Sequence, residues 1–401
     1  MLQLTETEGS IVDKMVTVKT FKSGHVVLSS QYQASKLTES LTEAKILHMT
    51  VRDLPIVPHL AAPIEEELIR RSIFGTAAIE GNPLSEEKVG EIVAAQPLDA
   101  SKQLEQFEQE IKNLKEAYSE FVVRCVQTDS PIKLQEEQIR KVHAVITNQL
   151  VYDNNVPGNY RNERVKVGDK DHGGIYTPPK ILADIETLMK AFIDWINSDE
   201  VLSLEPIIRA SLAHYYIGLI HPFRDGNGRT ARIIEAYLLT CSGYKYVPIM
   251  LSNFYYRNID QYFLAFSLTE RDKHNDMTHF LEFTLRGFVE SLRDIKDRII
   301  FLIRKLALRD YYLFLRNESE ISQRQYDLLI LMLNQSTLLS FRQIIDDPPF
   351  SLLYRNVVER TAKRDLSKLC DSGYLKCEQD KYFTNLKLLD SFGSVFTTKA
   401  K

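Results

Sequence analysis

The stretch His221-Pro222-Phe223-Arg224-Asp225-Gly226-Asn227-Gly228-Arg229-Thr230-Ala231-Arg232 sets the reading of this chain. It is a polar, glycine-broken loop between two apolar runs. Ahead of it, residues 207–220 are nearly all apolar and read as a buried helix; behind it, Ile233, Ile234, Tyr237 and Leu238 recur at helical spacing. A loop this polar between core helices is costly unless it holds something.

The residue types say what. Gly226 and Gly228, just before a helix, let the backbone approach a ligand, and the unpaired N–H groups of the helix start favour an anion, above all a phosphate. Arg229 and Arg232, three apart, project from one side of the first turns, where two guanidinium forks suit phosphate oxygens. Asp225 is a hard oxygen ligand for Mg²⁺ on the same phosphates. His221, with an unperturbed pKa of about 6.5, suits proton abstraction near neutral pH. No β-branched strand precedes the loop, which excludes the dinucleotide-fold glycine fingerprint.

HPFRDGNGRTAR matches, at each fixed position, the His-x-Phe-x-Asp/Glu-Gly-Asn-Gly-Arg-x-x-Arg signature, and the chain thereby resembles the Fic (Fic/Doc) family. The resemblance implies transfer of AMP from ATP to a Ser, Thr or Tyr hydroxyl of a protein, with ATP as substrate and Mg²⁺ as cofactor. It implies that His221 is the general base, Asp225 holds Mg²⁺, and Gly226, Asn227 and Gly228 line the anion nest. Arg224 and Arg229 contact the phosphates and Arg232 the γ-phosphate. Upstream, Thr76-Ala77-Ala78-Ile79-Glu80-Gly81 resembles the Ser/Thr-x-x-x-Glu-Gly/Asn inhibitory motif of the class with a built-in N-terminal inhibitory helix, implying that Glu80 occupies Arg232 and excludes the γ-phosphate. From the residues alone, an acid at a helix C-terminus opposes the dipole and is unusual, and the lesser reading is a solvated Glu80 at a helix end that Gly81 or Asn82 caps. On the adenine side the resemblance points to Asn258, with Tyr216 as a second candidate.

The chain has 401 residues, room for two or three domains. Its 50 basic and 54 acidic residues leave a net charge of -4, so global electrostatics make no case for nucleic acid or an anionic membrane. Residues 1–6 show no basic stretch leading into an apolar run, and no segment is long enough to span a bilayer, so no membrane partner and a cytoplasmic residence are expected. Cys125, Cys241, Cys370 and Cys377 lack metal-ligand spacing and read as reduced thiols. His274 and His279, five apart, do not share a helix face and read as solvated.

Fold class follows: mainly α, a Fic-type helical bundle with a small β-hairpin flap, plus a C-terminal winged-helix (α+β) domain. Residues 1–62 form an N-terminal arm, with a short hairpin from 16–18 and 26–28 around Gly24, and Pro55 and Pro58 marking an extended lead-in. Residues 63–100 hold the inhibitory region, with one helix over 64–76 and another capped by Ser85. Residues 101–300 form the catalytic domain, with bundle helices over 101–123 (stripe Leu104, Phe107, Ile111, Leu114, Phe121), 134–149 and 181–196. A polar link at 128–131 separates the first two. The flap covers about 158–179, with strands at Val165/Val167 and Ile175/Tyr176; its Gly158-x-Tyr160-Arg161 start and Tyr176-x-Pro178-Pro179 end resemble the family's flap, which implies that it holds a target protein, or a second copy of the chain, by edge-strand pairing. From 318 to 390 the pattern is three helices (322–333, 341–346, 354–370) and two strands, similar to a winged helix.

Arg355, Arg360, Lys363, Arg364 and Lys368 give the third of those helices a basic face that Glu359, Asp365 and Asp371 dilute. Protein docking or a homodimer is therefore favoured over DNA as this module's partner. Alternative functions are removal of AMP by water or transfer of another phosphate-containing group on the same scaffold, or a DNA-binding regulator whose Fic-like domain senses nucleotide. The complete motif argues against that last, inactive form.

Overall fold

A computed structural model describes residues 15–95, 106–125, 131–151, 155–168, 170–171, 174–335 and 337–390. Leu104, link residues 128–130 and flap-tip residues 169, 172 and 173 lie outside them. The chain divides into two compact units, one holding the described residues up to Asp53 with Val57–Lys296, the other Leu54–Ile56 with the chain from Asp297 onward.

The first unit opens with the expected hairpin, β1 (Met15–Lys19) paired antiparallel to β2 (His25–Ser29), with Val18 opposite Val26. The extended lead-in is corrected: α1 (Ala34–Asp53) is a 20-residue helix and α2 runs from Pro58 to Ile79. In α1 the buried residues are Leu37, Ala44 and Val51, a seven-residue spacing too sparse to stand out in a polar run. Pro58 does not delay α2 but starts it, since the first helical position needs no N–H. There follow α3 (Glu86–Ala94), whose cap Ser85 accepts from the Lys88 N–H as expected, and α4 (Gln106–Ala117), continued by a π-helical turn over Tyr118–Val123. Next come α5 (Glu136–Ile146), α6 (Leu182–Ile196) and the single turn α7 (Asp199–Leu202).

The centre is α8 (Pro206–Ile220) against α9 (Asn227–Cys241). Thirteen of the 15 residues of α8 are buried, which explains its all-round apolar sequence. α10 (Val247–Arg257) packs on α2; there Gly75 is required, because a Cβ would stand 2.9 Å from Asn253 Cα and Ser252 O. The π-helical turn fixes the same contact: the buried Tyr118 hydroxyl meets Ser72 Oγ at 2.7 Å, Thr76 Oγ1 at 3.3 Å and Ser252 Oγ at 3.1 Å. α11 (Ile259–Glu270) follows, and then α12 (Thr278–Asn317), whose residues from Asp297 on belong to the second unit. Cys125 and Cys241 form a disulfide, correcting the expectation of four thiols; a separation of 116 residues gave no sign of it. Cys370 and Cys377 are free.

Among the described residues of the expected two-stranded flap there is one antiparallel bridge, Val167 N–H to Tyr176 O at 3.0 Å and Tyr176 N–H to Val167 O at 2.8 Å. Gly168 and Gly174 bring the two legs together so closely that a Cβ on Gly168 would sit 2.5 Å from the Gly174 carbonyl oxygen. So short a pairing has too few side chains to extend into strands.

In the second unit, α13 (Gln323–Leu333), β3 (Leu339–Ser340), α14 (Phe341–Asp346), α15 (Ser351–Tyr354), α16 (Glu359–Asp371), β4 (Leu375–Glu378) and β5 (Lys381–Thr384) follow in order. The sheet order is β3-β5-β4, and Leu328, Leu329, Ile344, Leu366 and Leu369 fill the core. Asp365 does not dilute the basic face of α16: it is buried and accepts from Arg324 Nε at 2.7 Å and Gln325 Nε2 at 2.9 Å. No helix among the described residues is long and apolar enough to cross a membrane.

Candidate functional site

The polar loop is a link between α8 and α9 with a left-handed residue at each end. His221 caps α8 at φ 50°, ψ 58°, and Gly226 precedes α9 at φ 76°. A non-glycine residue in that region is uncommon and turns its side chain out of the helix it ends. His221 Nδ1–H donates to Gly218 O at 3.3 Å, which leaves Nε2 as the free base. Burial, with the Arg161 guanidinium adding to it, pushes the imidazole pKa down to about 4, so the ring is neutral at physiological pH.

Asn227 does not line the nest with its side chain. It is buried and turned inward, its Oδ1 accepting from Phe223 N–H at 2.9 Å and its Nδ2 donating to Phe223 O at 2.8 Å. It fixes the loop so that the N–H groups at the start of α9 stay available.

Both motif arginines are buried and held by carboxylates. Arg229 Nη2 donates to Asp225 Oδ2 at 2.5 Å, and its Nη1 to Glu110 of α4. Arg232 Nη2 donates to Glu80 Oε1 at 2.7 Å and to Thr76 O at 3.1 Å, so this arm of the Arg232 fork is taken by the last turn and cap of α2. Glu80 is placed by the way α2 ends. Gly81, at φ 86°, lets Gly81 N–H reach Ala78 O and Asn82 N–H reach Ala77 O, the paired bonds of a Schellman motif with Glu80 at the cap. Burial opposes ionisation of Glu80, but Arg232 and Arg229 outweigh it and hold its carboxyl below the ordinary carboxylate range. Gly228 is the matching half of this contact, because a Cβ there would overlap Glu80 Oε1.

His221, Glu80, Gly228 and Arg232 share a cavity whose other walls are Tyr176 of the flap and Tyr262, Phe263 and Phe266 of α11. Arg224 faces the flap, its Nε on Glu163 Oε1 at 3.1 Å. Two expected residues lie elsewhere. Tyr216 is in the core, its hydroxyl donating to Ser29 O at 3.0 Å and accepting from Ser29 N–H at 2.6 Å; Asn258 joins α10 to α11 and spends its amide on Phe254 O. The apolar wall comes instead from the next two turns of α11, whose aromatic residues are indistinguishable in sequence from core residues.

Two more residues hold the loop. Arg161 Nε donates to His221 O at 2.8 Å and Arg161 N–H to Pro222 O at 3.0 Å, tying the flap to the loop. His143, buried on α5, stacks on Phe223 at 3.7 Å, accepts from Gly158 N–H at Nδ1 (2.9 Å) and so donates from Nε2 to Asp225 O at 3.0 Å. Nothing in the sequence set His143 apart from its apolar neighbours. His143→Phe keeps the stack but strands both backbone groups, and is expected to destabilise the first unit by about 2–4 kcal/mol. Thermal unfolding of the variant beside the parent checks this.

Asp225 fits a hard cation. Its side chain is 38% exposed and lines a cleft with Glu80 and Glu110. Among the described residues no cluster of three His, Cys, Asp or Glu could hold a metal unaided. Mg²⁺ is commonly held by one or two carboxylates together with substrate phosphates.

Known proteins resemble the chain over the region that carries this loop. Residues 133–239 match the model of the Fic/DOC family. The chain is 30% identical over 179 residues to the Caenorhabditis elegans protein adenylyltransferase fic-1, covering 45% of this chain and 33% of that one. It is 30% identical over 226 residues to the Nematostella vectensis protein adenylyltransferase Fic, covering 55% and 47%. The chain thus spans about a third to a half of these curated relatives. Among solved structures, a Fic family protein from Desulfovibrio desulfuricans G20 superposes with TM-score 0.52 at 17% identity over 87% of this chain and 96% of that one. C. elegans Fic-1 (residues 134–508) does so with TM-score 0.52 at 22% identity over 65% and 72%. At these identities the superpositions speak for the fold alone.

Proposed function

For a Fic/DOC-family protein related to protein adenylyltransferases, as this chain is, we propose AMP transfer from ATP to a Ser, Thr or Tyr hydroxyl of a protein, held off by Glu80. The observation that carries this reading is the pairing of Glu80 with Arg232 beside a neutral His221 in one cavity. In this reading His221 Nε2 takes the proton of the target hydroxyl as its oxygen attacks the α-phosphorus in line, while the bond from that phosphorus to the α,β-bridging oxygen breaks and pyrophosphate leaves. The N–H groups at the start of α9, with Arg229, stabilise the charge that develops on the phosphate oxygens. Asp225, once released from Arg229, would hold Mg²⁺, which supplies charge neutralisation to the phosphates. Arg232 takes the γ-phosphate when Glu80 withdraws, and the walls of Tyr262, Phe263 and Phe266 suit a flat base.

We read the flap as the segment that holds the target backbone by edge pairing, and the second unit as a winged-helix-like docking module working in the cytoplasm. Labelled-ATP incorporation by the parent, Glu80→Gly and His221→Ala tests the reading.

The pH dependence follows from the two shifts. His221, with its pKa down at about 4, is deprotonated above that value, so kcat/KM of Glu80→Gly should stay level from about pH 8 to 5 and fall only towards 4. Glu80, held below the ordinary carboxylate range, keeps its contact with Arg232 at all pH values above that range and loses it only as pH falls through the lowered pKa. The ratio of variant to parent should therefore be constant over pH 5–8. An acid limb near 6.5 would contradict the placement of His221.

A further inference from the structure

Glu110 of α4 is a carboxylate outside the motif that nothing above uses. It is 4% exposed, and its two oxygens have different partners. Oε1 accepts from Arg229 Nη1, and Oε2 accepts from Asn82 Nδ2 at 2.8 Å. Asn82 is the residue that closes the end of α2, two positions after Glu80, and its own oxygen is committed to Leu84 N–H at 3.1 Å. Its Nδ2 also reaches Phe107 O at 3.2 Å on α4. The cap that carries Glu80 is therefore fastened to α4 through a side chain, separately from the contact of Glu80 with Arg232. Burial pushes the Glu110 carboxyl up, with Arg229 and Asn82 opposing, so each of the two donors matters to it.

We propose that Asn82 and Glu110 are positioning residues that latch the cap of α2, holding Glu80 on Arg232 while the same carboxylate anchors Arg229. The proposal rests on the autoinhibitory reading of Glu80 and extends it to two residues. Glu110 serves because it offers two acceptor oxygens. Glutamine in its place has one, which the charged Arg229 guanidinium claims, so Asn82 is left facing an amide N–H, and Asn82 cannot answer by flipping without losing Leu84 N–H. With the latch open, the cap of α2 samples positions in which Glu80 leaves Arg232, and the γ-phosphate enters more often.

The experiment compares the parent, Asn82→Ala, Glu110→Gln, Glu80→Gly and Asn82→Ala/Glu80→Gly as full chains, with two readouts. The first, hydrogen exchange over residues 77–84 without nucleotide, needs no activity. Faster exchange in both Asn82→Ala and Glu110→Gln is expected, and exchange at the parent's rate in either overturns the latch. The second is AMP incorporation. Asn82→Ala should raise it about tenfold where Glu80 is present and change it less than about twofold in Glu80→Gly. An equal rise in both backgrounds, no rise, or a fall in both overturns the latch. If Glu80→Gly itself gives no rise, autoinhibition by Glu80 fails, and the exchange readout still decides whether Asn82 and Glu110 hold the cap.

Discussion

Glu80→Gly is expected to raise AMP incorporation from ATP by roughly ten- to a hundredfold, the equivalent of the charge-assisted bond of about 1.5–3 kcal/mol that Glu80 makes with Arg232. The variant should keep the fold. Glycine suits the end of α2, and Arg232 retains its bond to Thr76 O at 3.1 Å, so the guanidinium stays in place when the carboxylate goes. Rate and ATP affinity should rise together, because the same fork is offered to the γ-phosphate. A properly folded Glu80→Gly with a rate equal to the parent's would remove Glu80 as the inhibitor.

The second large effect runs the other way. His221→Ala, made in the Glu80→Gly background where transfer is measurable, should lower kcat by about 10²–10⁴-fold, the usual contribution of a positioned base. ATP binding should change little, since the phosphates are held by the start of α9 and the two arginines. The His221 backbone carbonyl still accepts from Arg161 Nε, so the loop should keep its shape. Unchanged thermal unfolding with lost transfer is the expected pair of results; retained transfer would assign the base elsewhere.

Much of this was legible in the sequence because it sits in contiguous residues. The motif at 221–232, the first hairpin and the second-unit helices α13 and α14 follow local pattern, whereas the short α15 has no counterpart in the expected order and α16 starts at Glu359 rather than at 354. What stayed hidden depends on contacts between distant residues. His143 and Glu110 sit on amphipathic helices whose polar residues look solvated until α5 and α4 pack under the loop. Asp365 looked like a surface charge and is an interior acceptor. Tyr216 and Asn258 do not line the cavity, Tyr216 being packed in the core and Asn258 joining α10 to α11, and one sequence does not show which turn of α11 faces the cavity. The seven-residue spacing of α1 was too thin a stripe for periodicity to find.

On the proposed reading the cavity of His221 and Arg232 moves AMP and is normally closed by Glu80. Intact-mass spectrometry of the parent, Glu80→Gly and Glu80→Gly/His221→Ala after incubation with ATP and Mg²⁺ tests it most directly. Addition of one or more AMP units to Glu80→Gly is expected, with the sites on Ser, Thr or Tyr, much less on the parent and none detected on the double variant. Addition of phosphate alone, or no addition to Glu80→Gly with a target protein supplied, would contradict it.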